Sequence, residues 1–190
     1  MENLLNECRL MYRSIDQQIK QKISHPAEEL HWIEWAFNLS LHAWAGIEKL
    51  VKQHQFLNAK DELVFYKFLK PKFVGLIDHF PLLYKAVLFM PDDIIDRSIY
   101  WESELEQCNL LIIEFKGHCR SCEKQPGIDS FFRKQNDLLS PEFGSNINKA
   151  NISSIPYDLL LGKLVALEKF RKFLQAKVCR DLSLETSLVA

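Results

Sequence analysis

Glycine is scarce in this chain of 190 residues: only 6 occur, and no two of them lie close together. All-β folds and phosphate-binding loops both need more glycine than this, and in different places. No apolar run approaches the roughly 20 residues that a membrane helix needs. The first residues also lack the apolar core and cleavage site of a signal peptide. These absences argue against β folds, phosphate loops and membrane partners, and we expect a cytoplasmic protein.

Charge of one sign is also lacking, since 24 basic and 25 acidic side chains leave a formal net charge of -1. A nucleic-acid-binding domain usually shows a basic excess, and this chain as a whole has none. The 5 cysteines are odd in number and scattered, which predicts reduced thiols. What the chain does have is bulk, because 47% of its residues are hydrophobic and 13 are Phe. The composition predicts an all-α domain with a substantial core.

The periodicity of apolar residues predicts an irregular bundle of about five main helices. The first carries its apolar stripe through Leu4, Cys8, Met11, Ile15 and Ile19. The second runs from about Pro26 to His54, with Ile33, Phe37, Leu41, Trp44, Ile47 and Val51 on one face and Trp32, Trp35 and Leu50 on a second apolar edge.

A proline is expected to bend the third helix, which we predict to start near Asp61 as its capping residue. Lys70 precedes Pro71 and should therefore leave α-helical geometry, so that the helix kinks or restarts there. Pro81 is expected to interrupt it again.

The fourth helix should follow the turn Met90-Pro91-Asp92-Asp93 and end near Phe115, with Gly117 as its stop. Its stripe is expected to run through Ile95, Ile99, Glu102, Leu105, Cys108 and Ile112. We divide the chain into a helical bundle over residues 1–116, a loop with one short apolar element (Ile128 to Phe132) and a linker over 117–153, and a basic C-terminal helix over 154–180 that packs on the same domain.

Metal and catalytic motifs are weak. Cys119 and Cys122 form a Cys-x-x-Cys pair, but a structural zinc site needs four ligands, usually two such pairs. Glu28 and His31 form one Glu-x-x-His motif, whereas a di-iron bundle needs two. Nucleophile elbows, Walker sequences and His-Glu-x-x-His motifs are absent. We therefore predict a protein that is not an enzyme and needs no cofactor or metal.

The last helix carries a local excess of positive charge between residues 163 and 180, where six cations oppose Glu168, or 6 - 1 = +5. Such a strip could bind phosphates in a salt-dependent manner. A solvated face with cations near the helix C-terminus explains the same residues, since no base-reading aromatic or amide side chains interleave with them. The cations are Lys163, Lys169, Arg171, Lys172, Lys177 and Arg180, and a second cluster holds Lys67, Lys70 and Lys72.

Three blocks of sequence together resemble the RteC family. Residues 62–73, ELVFYKFLKPKF, are similar to its pattern E-hydrophobic-x-F-F-K-x-hydrophobic-K-P-x-F. About fifty residues on, HCRS and then Asp129, Phe132 and Arg133 are similar to its Tyr-Tyr-Arg-Ser and Asp-x-x-Tyr-Phe-x-Arg blocks, although His118 and Cys119 replace the tyrosines. Residues 157–163, YDLLLGK, resemble the start of its last helix. The matching motif positions are Phe65, Lys67, Lys70, Pro71, Phe73, Arg120, Ser121, Asp129, Phe132 and Arg133.

RteC proteins are regulators that activate the excision genes of conjugative transposons by binding DNA upstream of them. The resemblance therefore implies a non-catalytic transcriptional regulator, with DNA and a homodimer or another regulatory protein as partners. The expected contact residues, taken to be exposed, are Arg120, Arg133, Lys163, Lys169, Arg171 and Lys172. The alternative is a helical protein-interaction or dimerisation module without DNA binding of its own.

Overall fold

The computed structural model describes residues 3–23, 29–123 and 157–188, and all the regular structure in these ranges is helical. The helices are α1 (Leu4–Ile23), α2 (Glu29–Gln53), α3 (Ala59–Val64), α4 (Lys70–Leu88), α5 (Ile94–Glu123) and α6 (Tyr157–Leu188). A π-helical turn, Phe65–Leu69, joins α3 to α4, so that these two elements count as one of five main helices. The predicted all-α multi-helix fold is confirmed for the described residues.

The core forms where the predicted stripes of α1 and α2 meet α4. Leu4, Cys8, Ile15 and Ile19 of α1 are buried, as the periodicity predicted. Phe73 of α4 is fully buried at the centre, with its ring 4.9 Å from Tyr12 and 5.6 Å from Trp44. Aromatic pairs at such distances contribute about 0.5–1.5 kcal/mol beyond the area that they bury. An aromatic cluster therefore ties α1, α2 and α4 together.

The backbone around Pro71 differs from the prediction. Lys70 has φ -55° and ψ -48°, which is α-helical, and its N–H donates to the carbonyl of Phe65 five residues earlier. A proline in the first turn of a helix needs no N–H donor, and a widened π turn before it accommodates the ring. The expectation that Lys70 leaves α geometry is therefore wrong, and a bend of the helix at this point stays a prediction.

Pro81 does not interrupt the chain either, because α4 continues through it to Leu88. An interior proline costs roughly 3 kcal/mol in a helix. Its neighbours Phe80 and Leu83 are buried in the core, and this packing offsets the lost hydrogen bond. The predicted interruption is wrong because tertiary burial outweighs the local penalty.

The start of α3 is capped by Asn58 rather than by Asp61. The Asp61 N–H donates to Asn58 Oδ1 at 2.8 Å. Asp61 Oδ2 in turn accepts from Asn3 Nδ2 at 2.7 Å, while Asn3 Oδ1 accepts from the Leu5 N–H at 3.0 Å. The two asparagines thereby satisfy N–H groups at the starts of α1 and α3, and the contact between Asn3 and Asp61 links these two helix starts.

Both ends of α5 can be compared with the prediction. Asp93 caps the start as expected, since its Oδ1 accepts from the N–H of Ile95 at 2.8 Å and of Asp96 at 3.2 Å. Gly117 is not a stop, because α5 continues to Glu123 and residues 117–123 are helical. The last helix also runs further than predicted, to Leu188. The predicted short element at Ile128 to Phe132 lies outside the described residues.

Helix α6 packs along both α4 and α5. Gly75 and Gly162 set the crossing with α4: a Cβ built on Gly75 would lie 2.6 Å from Val165 Cβ, and one built on Gly162 would lie 2.5 Å from Val74 Cβ. Against α5, Trp101 meets Phe173 with ring centroids 5.9 Å apart. Nearer the other end of this contact, the Cys108 thiol donates to the carbonyl of Leu167 at 3.4 Å. Helices α5 and α6 are therefore antiparallel, and buried residues of α6 belong to the same hydrophobic cluster as those of the other helices.

Candidate interaction surfaces

The six cations of α6 do not form one exposed strip. Lys163 is only 4% exposed, and its Nζ lies 3.3 Å from Asp78 Oδ2 on α4. Lys177 Nζ lies 2.9 Å from Glu29 Oε1 on α2 and sits 5.1 Å from the centre of the Phe173 ring. The expectation that Lys163 is exposed is wrong. Gly162 lies at the close crossing of α6 with α4, so the side chain of the adjacent Lys163 is buried against α4.

Two further cations of α6 are only partly accessible. Arg171 is half-buried, and its Nε is buried without a hydrogen-bond partner in the described part of the chain. Lys169 is also half-buried, and burial lowers the pKa of its amine, as do the charges of Lys20 and Lys172, while Asp16 acts in the opposite direction. Lys172 is exposed. The accessible charge is thus a small mixed group in which α1 contributes Lys20 and Asp16.

The family-motif positions divide between the core and the surface. Four of the five motif residues between residues 65 and 73 are buried: Phe65, Lys70, Pro71 and Phe73. Lys70 is buried with its amine 5.5 Å from the centre of the Tyr66 ring. Lys67 is exposed, as is Lys72 beside the block. The Lys-Pro block therefore has a structural role in this fold.

The second motif block is described only in part. Arg120 is exposed near the end of α5, and Ser121 follows it in the last turn of the same helix. Asp129, Phe132 and Arg133 lie outside the described residues. The expected contact residues that the structure leaves accessible are Arg120 and Lys172, which lie on different helices.

Groups that could support chemistry are not brought together in the described residues, where no cluster of three His, Cys, Asp or Glu side chains could hold a metal ion. Cys119 is buried, and the side chain of Cys122 lies outside the described part. Burial raises the pKa of the Cys8 and Cys108 thiols to about 11. Both thiols are therefore protonated at neutral pH and are weak nucleophiles.

Two titratable groups with shifted pKa values, Asp78 and His79, lie on α4 where it packs against α6. Burial raises the pKa of Asp78, although the charge and hydrogen bond of Lys163 act against this shift. Next to it, His79 Nδ1 lies 3.0 Å from the carbonyl oxygen of Leu76, and its ring centroid lies 4.3 Å from that of Phe80. Burial lowers the pKa of His79 to about 4. The cluster is a structural contact between two helices.

The lowered pKa of His79 predicts a loss of stability in mild acid. Well above pH 6.5 the ring is neutral in both the folded and the unfolded state, so its full contribution to the free energy of unfolding is present there. As the pH falls from 6.5 to about 4, the unfolded chain takes up the proton first, and the free energy of unfolding decreases. At 1.36 kcal/mol per pKa unit, the loss is at most about 3 kcal/mol.

Urea unfolding of the wild type and of His79→Gln between pH 4 and 7 tests this prediction. Asp78 has a raised pKa and contributes in the opposite direction, but it is present in both proteins. The difference between the two free energies of unfolding should therefore change across this range. Parallel curves would show that His79 does not titrate as its burial requires.

The outward face of α5 was not predicted. Four aliphatic side chains on it are more than half exposed: Ile95 61%, Ile99 61%, Leu110 57% and Ile113 69%. The prediction placed Ile95 and Ile99 on the core stripe, and this is wrong. Cys108 and Ile112 of the predicted stripe are buried, and the core face is completed by Ser98, Trp101, Phe115 and Cys119.

A signal for this second face was available in the pair Ile112-Ile113. Adjacent helical residues point about 100° apart, so both cannot face one core. The outward face also carries Glu102, Glu106 and Arg120, all exposed. We call the outward stripe of Ile95, Ile99, Glu102, Glu106, Leu110, Ile113 and Arg120 the α5 face.

None of the described helices combines the length and the apolar character needed to cross a membrane.

Known proteins do not add a family to this description. No protein-family model matches the chain, and no curated protein and no solved structure is significantly similar to it. The resemblance to RteC regulators therefore rests on the motif residues alone and remains a prediction.

Proposed function

We propose that this chain is a non-catalytic regulatory protein that acts by binding another protein chain through the α5 face. One observation carries the proposal. Four large aliphatic side chains, each more than half exposed, share one face of a 30-residue helix whose opposite face is in the core. The four form two exposed apolar pairs, Ile95 with Ile99 and Leu110 with Ile113, with charged residues between them. Exposed apolar surface rimmed by polar residues is typical of interaction sites, and an exposed helix face is a common recognition element.

The expected strength of such an interaction follows from the area to be covered. Fully burying an Ile or Leu side chain contributes about 1.5–3 kcal/mol, so covering the exposed parts of four contributes on the order of 4–8 kcal/mol. Association itself costs several kcal/mol. The α5 face therefore suits a reversible complex, and its charged residues would fix the orientation of the partner.

Photo-crosslinking in cells that express the chain tests this function. A benzophenone amino acid at Ile113 should give protein adducts, because that side chain would lie inside the interface. The matched control is Leu10 on α1, which is 56% exposed and lies outside the α5 face, and it should give few. The mass of the adduct identifies the partner as a second copy or another protein. Equal yields at the two positions would contradict the proposal.

A second proposal keeps the role that the RteC resemblance implies, which is DNA binding in the control of transposon excision. It is supported by a group of cations from two helices. The exposed Lys172 and the half-buried Lys169 belong to α6, and Lys20 of α1 lies close enough to act on Lys169. Such a group would contact phosphates and bind more weakly as salt increases. Both proposals place the chain in the cytoplasm, where its thiols stay reduced.

Gel-shift assays with DNA from upstream of the excision genes, at two salt concentrations, test the second proposal. Lys172→Glu should abolish binding and reduce its salt dependence. Lys52→Glu, which changes an exposed lysine on α2, should leave the affinity nearly unchanged. An affinity that is the same in Lys172→Glu as in the wild type would rule out this surface.

A further inference from the structure

We infer that the partner on the α5 face is a second copy of this chain, docked antiparallel so that Leu110 of each copy lies against Ile113 of the other. The inference rests on the proposed function, since it names the occupant of the same surface. It depends on the order of apolar and charged residues along α5.

Charged and apolar residues follow a definite order along the α5 face, from its N-terminal to its C-terminal end. Its residues follow one another at intervals of three or four positions, with one step of seven from Ile113 to Arg120, and this spacing keeps them on one side of an α-helix. The exposed glutamates Glu102 and Glu106 lie in the N-terminal half, and the exposed Arg120 lies near the C-terminal end. Between them lie Leu110 and Ile113, the latter being the most exposed large apolar side chain described, at 69%. From Ile95 onwards the face is thus apolar, then acidic, then apolar again and finally basic.

A parallel pair of such helices is disfavoured by charge. It would place each exposed glutamate opposite the same glutamate of the second copy, and Arg120 opposite Arg120. Like charges directly opposite each other are destabilising, whereas complementary charges fix orientation and register. The second copy must therefore run in the opposite direction.

Three antiparallel registers bring apolar residues together, and the charges distinguish them. When Ile95 faces Ile99, the overlap of the two helices ends before Glu102 and Arg120 can pair. When Ile95 and Ile99 face Ile113 and Leu110 of the second copy, Glu102 faces Glu106, which is repulsive. When Leu110 faces Ile113, Glu102 faces Arg120, and Ile95 and Ile99 lie outside the contact between the two α5 helices. Only this last register pairs opposite charges around an apolar centre, and two-fold symmetry repeats the contact.

Within one copy these two charges cannot form the same pair. Glu102 and Arg120 are 18 residues apart on α5, or about 27 Å along the helix axis. A charge reversal at either position would therefore act on association and leave the fold of each copy intact. This separation makes complementation between two variants a specific test of the register.

The experiment is sedimentation equilibrium of the full chain and four variants. The wild type should be a dimer, and Ile113→Glu a monomer. Glu102→Arg places arginine opposite Arg120, and Arg120→Glu places glutamate opposite Glu102, so the Kd of each should rise at least tenfold. An equimolar mixture of these two variants should form a heterodimer with a Kd within about threefold of the wild type, because both pairs are again of opposite charge. The control, Glu34→Arg on α2, changes an exposed glutamate off the α5 face and should dimerise like the wild type.

The outcomes separate this inference from the proposed function. If the wild type stays monomeric at hundreds of micromolar, the inference that the partner is a second copy of this chain is wrong. If Ile113 then crosslinks to a different protein, the proposed function stands. A dimer whose two charge variants do not complement each other overturns the register and orientation. A monomer in which Ile113 is protected by another part of the same chain overturns both the inference and the proposed function.

Discussion

Replacing Gly75 or Gly162 with alanine is expected to destabilise the fold by about 3 kcal/mol, since overpacking of this kind costs roughly 1–3 kcal/mol and more where backbone is in the way. A Cβ on Gly75 would meet Val165 Cγ1 and lie 2.9 Å from the carbonyl oxygen of Gly162. A Cβ on Gly162 would meet Val74 Cγ1. Neither helix can relieve these contacts by a rotamer change alone, so α4 and α6 would have to move apart. Urea unfolding followed by circular dichroism measures the effect.

Gly117→Ala is the matched control for these two variants. It lies in the interior of α5, and nothing in the described part of the chain lies within 4 Å of the position that its Cβ would take. Alanine has the higher helix propensity, so the variant should gain up to about 1 kcal/mol. Equal effects of the substitution at Gly117 and at Gly162 would show that the crossing is not as close as described.

Asp78→Ala is expected to cost about 3 kcal/mol, in the range found when one partner of a buried ion pair is removed. Lys163 is only 4% exposed, and Asp78 lies 3.3 Å from its amine. Without the carboxylate, a buried positive charge loses the ion pair with Asp78. Lys163→Met should cost less, because the pKa of Asp78 is already raised by burial and the carboxyl can take up a proton instead.

The double variant Asp78→Leu with Lys163→Met provides the control for this pair. Replacing both charges by apolar side chains of similar size is often neutral, so most of the stability should return. The double-mutant cycle then gives the coupling between the two positions. If the free energies of unfolding of both single variants lie within about 0.5 kcal/mol of the wild-type value, the pair is not a buried contact between α4 and α6.

The helical class and part of the core were predictable because they depend on local pattern. The stripe of Leu4, Cys8, Ile15 and Ile19 repeats at helical spacing and is buried as expected. The cap at Asp93 was predictable for the same reason, since a short acidic side chain after a proline turn is a strong local signal. Such features need no knowledge of what the helix packs against.

The breaks along the chain were predicted less well because tertiary packing overrides local preference. Pro81 and Gly117 each favour the end of a helix when considered alone, yet both lie inside one. At Pro71 the chain inserts a π turn and remains helical. The buried neighbours of these residues, which sequence does not reveal, decide the outcome.

The candidate surfaces were the least predictable. A charge count over residues 163–180 treats the cations as one strip, but successive side chains on an α-helix point about 100° apart. Lys163 and Lys177 therefore face α4 and α2 and form ion pairs there. On α5, periodicity alone could not decide which of two apolar stripes was the core, because both repeat at helical spacing. Only the position of α6 settles that choice.

The dependence of the urea midpoint on protein concentration tests the separate roles of the two faces of α5 most directly. For the wild type the midpoint should rise with concentration, because association adds stability by mass action. Ile113→Ala should match the wild type in dilute solution and lose that rise. Ile112→Ala, in which the neighbouring side chain is only 3% exposed, should unfold at lower urea at every concentration and keep the rise. A wild-type midpoint that does not change with concentration, or an Ile113→Ala variant that is already unstable in dilute solution, would contradict this assignment.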